Sequence, residues 1–204
     1  MLATIEGIDG SGKSTLIKGL SEELADLNPV FTREPGATWI GGQVRRGIRE
    51  RINPVAEALL FVADHAAHLD TVVKPALKEG RIVISDRYTD SRYAYQSETL
   101  KEHVKDPYKW LFDVHNGWTV VPDITFLLVV PVEESLNRIA AERADKEHFE
   151  CRSVLENVQK NYLSLAEKEP FRFVIIDASK KKEEILHFVA EIIRKKSDAG
   201  KKIM

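Results

Sequence analysis

The sequence predicts an α/β fold built on a parallel sheet, and three observations carry that prediction. Short apolar runs alternate with longer amphipathic ones along the chain, which is the pattern of strands joined by crossover helices. A glycine-rich stretch, GIDGSGKS at residues 7–14, sits between the first strand-like run and the first helix-like one. The longest helical segment stops at Gly80, just before a further strand-like run. At 204 residues the chain is expected to form one domain, 1–204, with a substantial buried core.

Taken in order, LATIEGI (2–8) reads as a buried strand and KSTLIKGLSEELADL (13–27) as the helix after it. PVFTRE (29–34) is a second short strand. Residues 54–80 carry apolar residues at helical spacing and end at glycine, a natural C-terminal stop. RIVISD (81–86), DITFLLVV (123–130) and FRFVIID (171–177) are strand-like, and helical patterns occupy 132–144, 149–169 and 182–196. The polar tail KKSDAGKKIM is expected to fray.

Thirty Lys and Arg against 32 Asp and Glu give a formal net charge of -2, which argues against wholesale binding to nucleic acid or to an anionic membrane. The single cysteine, Cys151, can form no internal disulfide, so a reducing compartment is expected. No apolar run approaches the roughly 20 residues needed to span a bilayer. The chain enters its first strand at once, so no signal peptide is expected. A soluble cytoplasmic protein is the expectation.

Residues 7–14 fit the pattern G-x-x-x-x-G-K-[ST]. Gly7, Gly12, Lys13 and Ser14 fill its set positions, with Ile8, Asp9, Gly10 and Ser11 between them and Thr15 following. Placed between a strand and a helix, such a loop turns its backbone N–H groups inward onto phosphate oxygens. Lys13 then reaches the β- and γ-phosphates of a nucleoside triphosphate, and the Ser14 hydroxyl can ligate Mg²⁺. The loop serves GTPases, motors and small-molecule kinases alike, but no N-K-x-D element follows a strand here. A second motif, ISDRYTDSRYAYQ (84–96), leaves a buried strand through Asp86 and Arg87. At that edge of an α/β sheet Asp86 can orient Mg²⁺ or its water while Arg87 holds an anion; the alternative is a strand-end pair used only for solvation.

With these motifs the chain resembles the thymidylate kinase family of P-loop nucleoside monophosphate kinases, which pass the γ-phosphate of ATP to dTMP to make dTDP in dTTP biosynthesis. The resemblance rests on GIDGSGKST, FTREPGAT (31–38), LFVADHAAHL (60–69), SDRYTDSRYAYQ (85–96), PDITFLLVV (122–130) and HFE (148–150). It implies a P-loop NTPase three-layer α/β/α fold with a five-stranded parallel sheet. It also implies an acceptor-binding region at about 33–70, a mobile lid at about 138–152, Mg²⁺–ATP as donor and a homodimer. By the same resemblance Arg33 and Arg87 clamp the acceptor monophosphate, for which two guanidinium forks suit a dianion. Asp9 meets the acceptor's 3′-hydroxyl, Phe61 stacks on its base, and Tyr95 presses near the sugar and disfavours a 2′-hydroxyl. By spacing alone Phe61 reads as core, and Gln96 either hydrogen-bonds the base edge or faces solvent.

The chain departs from the family pattern in three places. His65 stands where the family usually has an arginine that donates to a thymine carbonyl, and Arg92 stands where a small or amide residue is common. The expectation is that Arg92 restores the missing guanidinium from the opposite side of the base; the alternative is that both residues are solvated. Gly10 stands where some members carry an arginine that supports the transition state, so the lid cations Arg138, Arg143, Lys146 and Arg152 are the expected replacements. Of these, the resemblance places Arg138 on the adenine of ATP, while Arg143, near the helix end, is expected on the phosphates, with Glu150 positioning the lid or Mg²⁺. Two other readings remain open: a kinase preferring another monophosphate such as dUMP, and a nucleotide-binding regulatory module without transfer activity.

Overall fold

A computed structural model describes residues 1–142 and 151–201. Strands β1 (Leu2–Glu6), β2 (Val30–Arg33), β3 (Val83–Asp86), β4 (Ile124–Val129) and β5 (Phe173–Asp177) form one sheet in the order β2-β3-β1-β4-β5. Every pairing in it is parallel. Alternate residues along a strand face opposite sides, and both sides are covered. Leu2 and Val83, paired in register, pack with Leu69, Val73 and Ala76, whereas Ala3, Ile5 and Ile84 belong to the main core with Leu16, Leu20 and Val189. The result is the expected three-layer α/β/α architecture. Its central strand β1 is buried at every residue, which is why LATIE reads as an apolar run.

The helices are α1 (Lys13–Glu23), α2 (Trp39–Glu50), α3 (Pro54–His68), α4 (Lys74–Lys78), α5 (Thr89–Thr99), α6 (Pro107–His115), α7 (Val132–Glu142), α8 (Arg152–Lys168) and α9 (Lys182–Lys201). The long segment predicted over 54–80 is a single rod: α3 and α4 are joined by a π turn, Leu69–Val73. That turn falls just before Pro75, whose ring cannot sit under an ordinary α turn. Asn53 caps the rod's start by accepting from the Val55 and Ala56 N–H groups. Gly80, at φ +72°, ends it: its N–H donates to Leu77 O and that of Arg81 donates to Ala76 O, both at 3.0 Å.

The chain differs from the sequence reading in several elements. Helix α1 stops at Glu23 and gives way to a 3₁₀ turn, Ala25–Leu27, and α9 continues past residue 196 to Lys201, so the segment expected to fray is helical up to that point. Helices α2, α5 and α6 were not anticipated. Helix α2 holds Gly41, Gly42 and Gly47, poor helix formers, yet Gly41 is required: a Cβ there would lie 2.2 Å from Gly36 O. Helix α5 turns Asp90, Ser91, Arg92 and Gln96 into the interior, so it shows no apolar stripe to read. Arg143, Lys146 and Glu150 lie outside the described residues. No helix among the described residues is long and apolar enough to cross a membrane.

Helix α5 is pinned by a buried ion pair. Asp90, fully buried, accepts from Arg172 Nη1 and Nη2 at 2.6 and 3.0 Å, and Arg172 Nη1 also donates to Thr125 Oγ1 on β4 at 2.7 Å. Removing one partner strands the other charge in the interior. Arg172→Met is therefore expected to lower unfolding free energy by about 3–5 kcal/mol in urea titrations, with part of the loss recovered when Asp90→Asn is added.

Candidate active site

The strand order reverses at β1, whose successors lie on either side of it, and ligands of open α/β sheets bind outside the strand C-termini at such a point. Here the strand ends are held in line: Ile5 and Arg33 are both register partners of Asp86. The Arg87 N–H donates to Ile5 O and the Glu34 N–H to Asp86 O, each at 3.0 Å. The phosphate loop leaves β1 at this edge through Gly7, Gly10 and Gly12, with φ of +142°, +71° and +98°. Gly10 has a second reason to lack a side chain, since a Cβ there would lie 2.5 Å from Ser135 O on α7. A side chain at that position would require α7 to lie farther from the loop. Lys13 curls back over the loop and donates to Gly7 O at 3.1 Å and Ile8 O at 2.9 Å. Burial, reinforced by nearby Arg87, pulls its ammonium pKa down to about 8 against the opposing pull of Asp9, Asp86 and Glu6.

Two cavities open at this edge. The outer one, about 540 Å³, is lined by the loop residues Asp9, Gly10 and Gly12 through Thr15 and by Asp86. It gathers cations from across the chain: Lys13, Arg33, Arg45, Arg87, Arg138 and Lys182. Arg33 is exposed at the end of β2. Arg138 donates to Gly10 O and Ala178 O, both at 3.2 Å, and pairs with Glu134, bridging the phosphate loop to the segment after β5. Asp86 Oδ1 is buried and has no hydrogen-bond partner among the described residues. With Ser14 on the same wall, it could supply the few oxygen donors that a phosphate-bound Mg²⁺ takes from protein. Arg152 is exposed at the start of α8 and does not line this cavity.

The inner cavity is a narrow slot of about 90 Å³. Pro35, Ile48 and Phe61 supply apolar wall, and Arg92, Tyr95 and Gln96 reach it from α5. Asp9, Glu34 and Arg87 line both cavities and mark where they meet. At that junction Arg87 Nη2 donates to Asp9 Oδ1 at 2.5 Å, and the Tyr95 hydroxyl donates to Asp9 Oδ2 at 2.7 Å while accepting from the Asp9 N–H at 3.0 Å. Burial works against ionising Asp9, but the charges of Arg87 and Lys13 outweigh it and hold the carboxyl at about 2. Arg87 itself sits at φ +64° and is braced from behind, its Nη1 donating to Gly7 O and Ser91 Oγ at 3.1 and 3.2 Å.

His65 is not on a cavity wall. It is fully buried behind Glu34, its Nδ1–H donating to Glu34 Oε1 at 2.7 Å and its Nε2 meeting Thr119 Oγ1 at 2.7 Å. Burial and the charge of Arg92 pull its pKa down to about 4, well below the ordinary imidazole value. Arg92 is not solvated either: it is buried, and it pairs with Glu34.

Four residues of this region escaped the sequence reading. Arg45 donates from α2 to Pro35 O and Gly36 O, and Lys182 begins α9; neither lies in a recognisable motif. Glu34, within TREPG, is buried and accepts from Arg92, His65 and His68. Glu6, in β1, accepts from the Tyr88 N–H and from the Ser91 and Tyr162 hydroxyls; burial and the charge of Asp90 push its pKa up to about 7. A carboxylate inside an otherwise apolar strand is the one signal that could have found Glu6.

A phosphate loop after a central parallel strand, a polar cavity over it and a slot for a second ligand together define a P-loop phosphotransferase. The family model described as thymidylate kinase matches residues 5–189. The chain is 60% identical over 194 residues to a "Probable thymidylate kinase" of Methanoculleus marisnigri, covering 95% of this chain and 94% of the relative. It is 59% identical over 198 residues to one of Methanospirillum hungatei (97% and 96% covered) and 44% identical over 195 residues to one of Natronomonas pharaonis (95% and 97% covered). The chain belongs to the thymidylate kinase family.

Two outcomes are expected from the loop. Gly10→Ala, which forces a Cβ into Ser135 O from a left-handed backbone, should weaken ATP affinity at least tenfold in calorimetric titrations. Below pH 8 Lys13 carries its proton and meets the triphosphate as a cation; above it the free protein loses that proton first. ATP affinity should therefore be flat below about pH 8 and fall by up to tenfold per unit above it, a slope that Lys13→Met removes.

Proposed function

We propose that this protein transfers the γ-phosphate of ATP to dTMP, giving dTDP and ADP, and so serves dTTP biosynthesis. The observation that carries the reading is the junction of the two cavities at Arg87 and Asp9. It sets a slot of a size for a flat ring directly beside a cation-lined space of a size for a triphosphate. ATP lies along the outer cavity, its phosphates on the backbone N–H groups of the loop and on Lys13, its adenine toward Arg138 and Ala178. Arg33 and Arg87 hold the acceptor phosphate at the junction, with Arg45 close by. Phe61 and Tyr95 flank the base and sugar, Gln96 and Arg92 face the base edge, and Asp9 faces the sugar hydroxyl.

An acceptor phosphate is largely a dianion at pH 7, so its oxygen attacks the γ-phosphorus without surrendering a proton. Among the described residues the lining of both cavities holds no histidine, and a transfer to a dianion needs no general base. Catalysis then rests on alignment and on neutralising charge. Lys13 and the outer-cavity arginines serve that end, and Arg143 is assigned to the same charge on the strength of the sequence alone. Ser14 and Asp86 would hold Mg²⁺, which would supply further charge neutralisation when bound. The reading treats the chain as one kinase domain, with an acceptor region at about 33–70 and a lid at about 138–152. It also takes a cytoplasmic homodimer; exposed Leu59 on α3 and Phe112 on α6, each next to a residue of one small core, support the latter.

ADP formation from Mg²⁺–ATP, measured with a panel of nucleoside monophosphates, tests the proposal. dTMP should stimulate most strongly, and Arg33→Ala should raise the KM for dTMP at least tenfold. Stronger stimulation by another monophosphate would overturn the substrate, and no stimulation by any would overturn the transfer.

A further inference from the structure

Glu6 is a fully buried carboxylate at the end of the central strand, and it lines neither cavity. Each of its oxygens has a fixed task. Oε1 accepts from the Tyr88 N–H at 2.7 Å, on the residue that follows Arg87. Oε2 accepts from the Ser91 hydroxyl at 2.6 Å and from the Tyr162 hydroxyl at 2.9 Å. The same two hydroxyl oxygens lie 3.2 and 3.4 Å from Arg87 Nη1.

Counting protons fixes the direction of these bonds. A hydroxyl carries one hydrogen and two lone pairs, and an ionised carboxylate can only accept. The two hydroxyls also lie 2.8 Å from one another, so either both donate to Oε2 directly or one donates through the other. In both arrangements the hydrogens run toward Glu6 and lone pairs are left facing Arg87. One N–H of Arg87 Nη1 serves Gly7 O at 3.1 Å, and its second meets the hydroxyls. A proton on Oε2 reverses at least one of these bonds, because that oxygen must then donate. It also removes a negative charge from behind a desolvated guanidinium.

We infer that Glu6 is a positioning residue: ionised, it orients the Ser91 and Tyr162 hydroxyls to accept from Arg87 and so holds Arg87 where it meets the acceptor phosphate. The inference rests on the acceptor reading above and adds to it a residue that touches no ligand. The charges around Glu6 are those of Asp90 on α5, itself paired with Arg172, of Arg87, and of Lys13 on α1. Tyr162 faces it from α8, β3 brings Asp86 as the register partner of Ile5, and β4 brings only Leu127 opposite Glu6. Burial and Asp90 outweigh Arg87 and the hydroxyls, so the carboxyl is pushed up to about 7. Glu6→Gln copies the protonated form. The Tyr88 N–H can only donate, so it takes the amide oxygen and leaves the NH₂ facing the hydroxyls.

Initial rates with saturating Mg²⁺–ATP and varied dTMP, between about pH 6 and pH 8, test this. At about pH 8 Glu6→Gln should lower kcat/KM for dTMP by about tenfold and leave the KM for ATP within about twofold. At about pH 6 Glu6 of the unaltered protein is itself largely protonated, and the gap should shrink to about twofold. The ionisation of dTMP is common to both proteins and cancels in the ratio. Tyr162→Phe should act in the same direction with a smaller effect, and should add little on top of Glu6→Gln; if the latter does not fold, Tyr162→Phe decides the matter. A ratio constant across pH, equal changes in KM for both substrates, or full additivity of the two substitutions would overturn the inference. The Arg87 Nε resonance in ¹⁵N NMR, assigned by its loss in Arg87→Lys, gives a readout that needs no acceptor. It should shift with a midpoint near pH 7 and stay fixed in Glu6→Gln; a fixed resonance in the unaltered protein would overturn the inference. That shift in a protein which no monophosphate stimulates would uphold the role of Glu6 and overturn the proposed transfer instead.

Discussion

The contact between the Asp9 carboxylate and the Arg87 guanidinium, 2.5 Å apart, joins the phosphate loop to the end of β3, and both cavities take their shape from it. An acidic side chain inside a loop built to hold phosphates is electrostatically costly unless a cation sits against it. Arg87 removes that cost and is placed to do so by a left-handed backbone at φ +64°. Tyr95 closes the contact from α5, donating to Asp9 and lying under the Arg87 guanidinium at 4.9 Å. Behind them Glu6 holds Ser91 and Tyr162, and these in turn hold Arg87. A buried carboxylate in the central strand therefore sets the position of a cation at the site through two hydroxyls.

The distribution of positive charge follows from crowding at the loop. Gly10 lies so close to α7 that a Cβ would meet Ser135 O at 2.5 Å, and Lys13 is the loop's own cation. The others in the outer cavity come from the end of β2, from α2, from the end of β3, from α7 and from α9. Six cations of the described residues converge there although the chain as a whole carries a net charge of -2. Local field, not net charge, is what an anionic ligand meets in a cleft.

Much of the fold was legible in the chain. The strands are buried and apolar, and the 54–80 helix carries its own cap and stop at Asn53 and Gly80. The loop and the Asp86–Arg87 pair lie at strand ends, where sequence motifs and sheet geometry coincide. Helix α5 was not legible, because its inward face is made of Asp90, Ser91, Arg92 and Gln96, and pattern reading equates polarity with exposure. The same assumption left His65 and Arg92 open to a solvated reading, when both are buried around Glu34. Arg45 and Lys182 reach the site from helices far apart in sequence, and nothing in the neighbourhood of either residue signals that.

By itself, then, the sequence determined the layered α/β architecture, the phosphate-binding loop and the family, because each is written in local pattern: apolar runs, glycine spacing and short motifs. Only the tertiary structure decided which polar residues are buried and which cations share a cavity. Those outcomes depend on side chains up to about eighty positions apart being desolvated together, as Arg92 with Glu34 and Arg87 with Asp9. Hydrogen-bond satisfaction in a buried cluster is a property of the whole set, and no single stretch of chain encodes it.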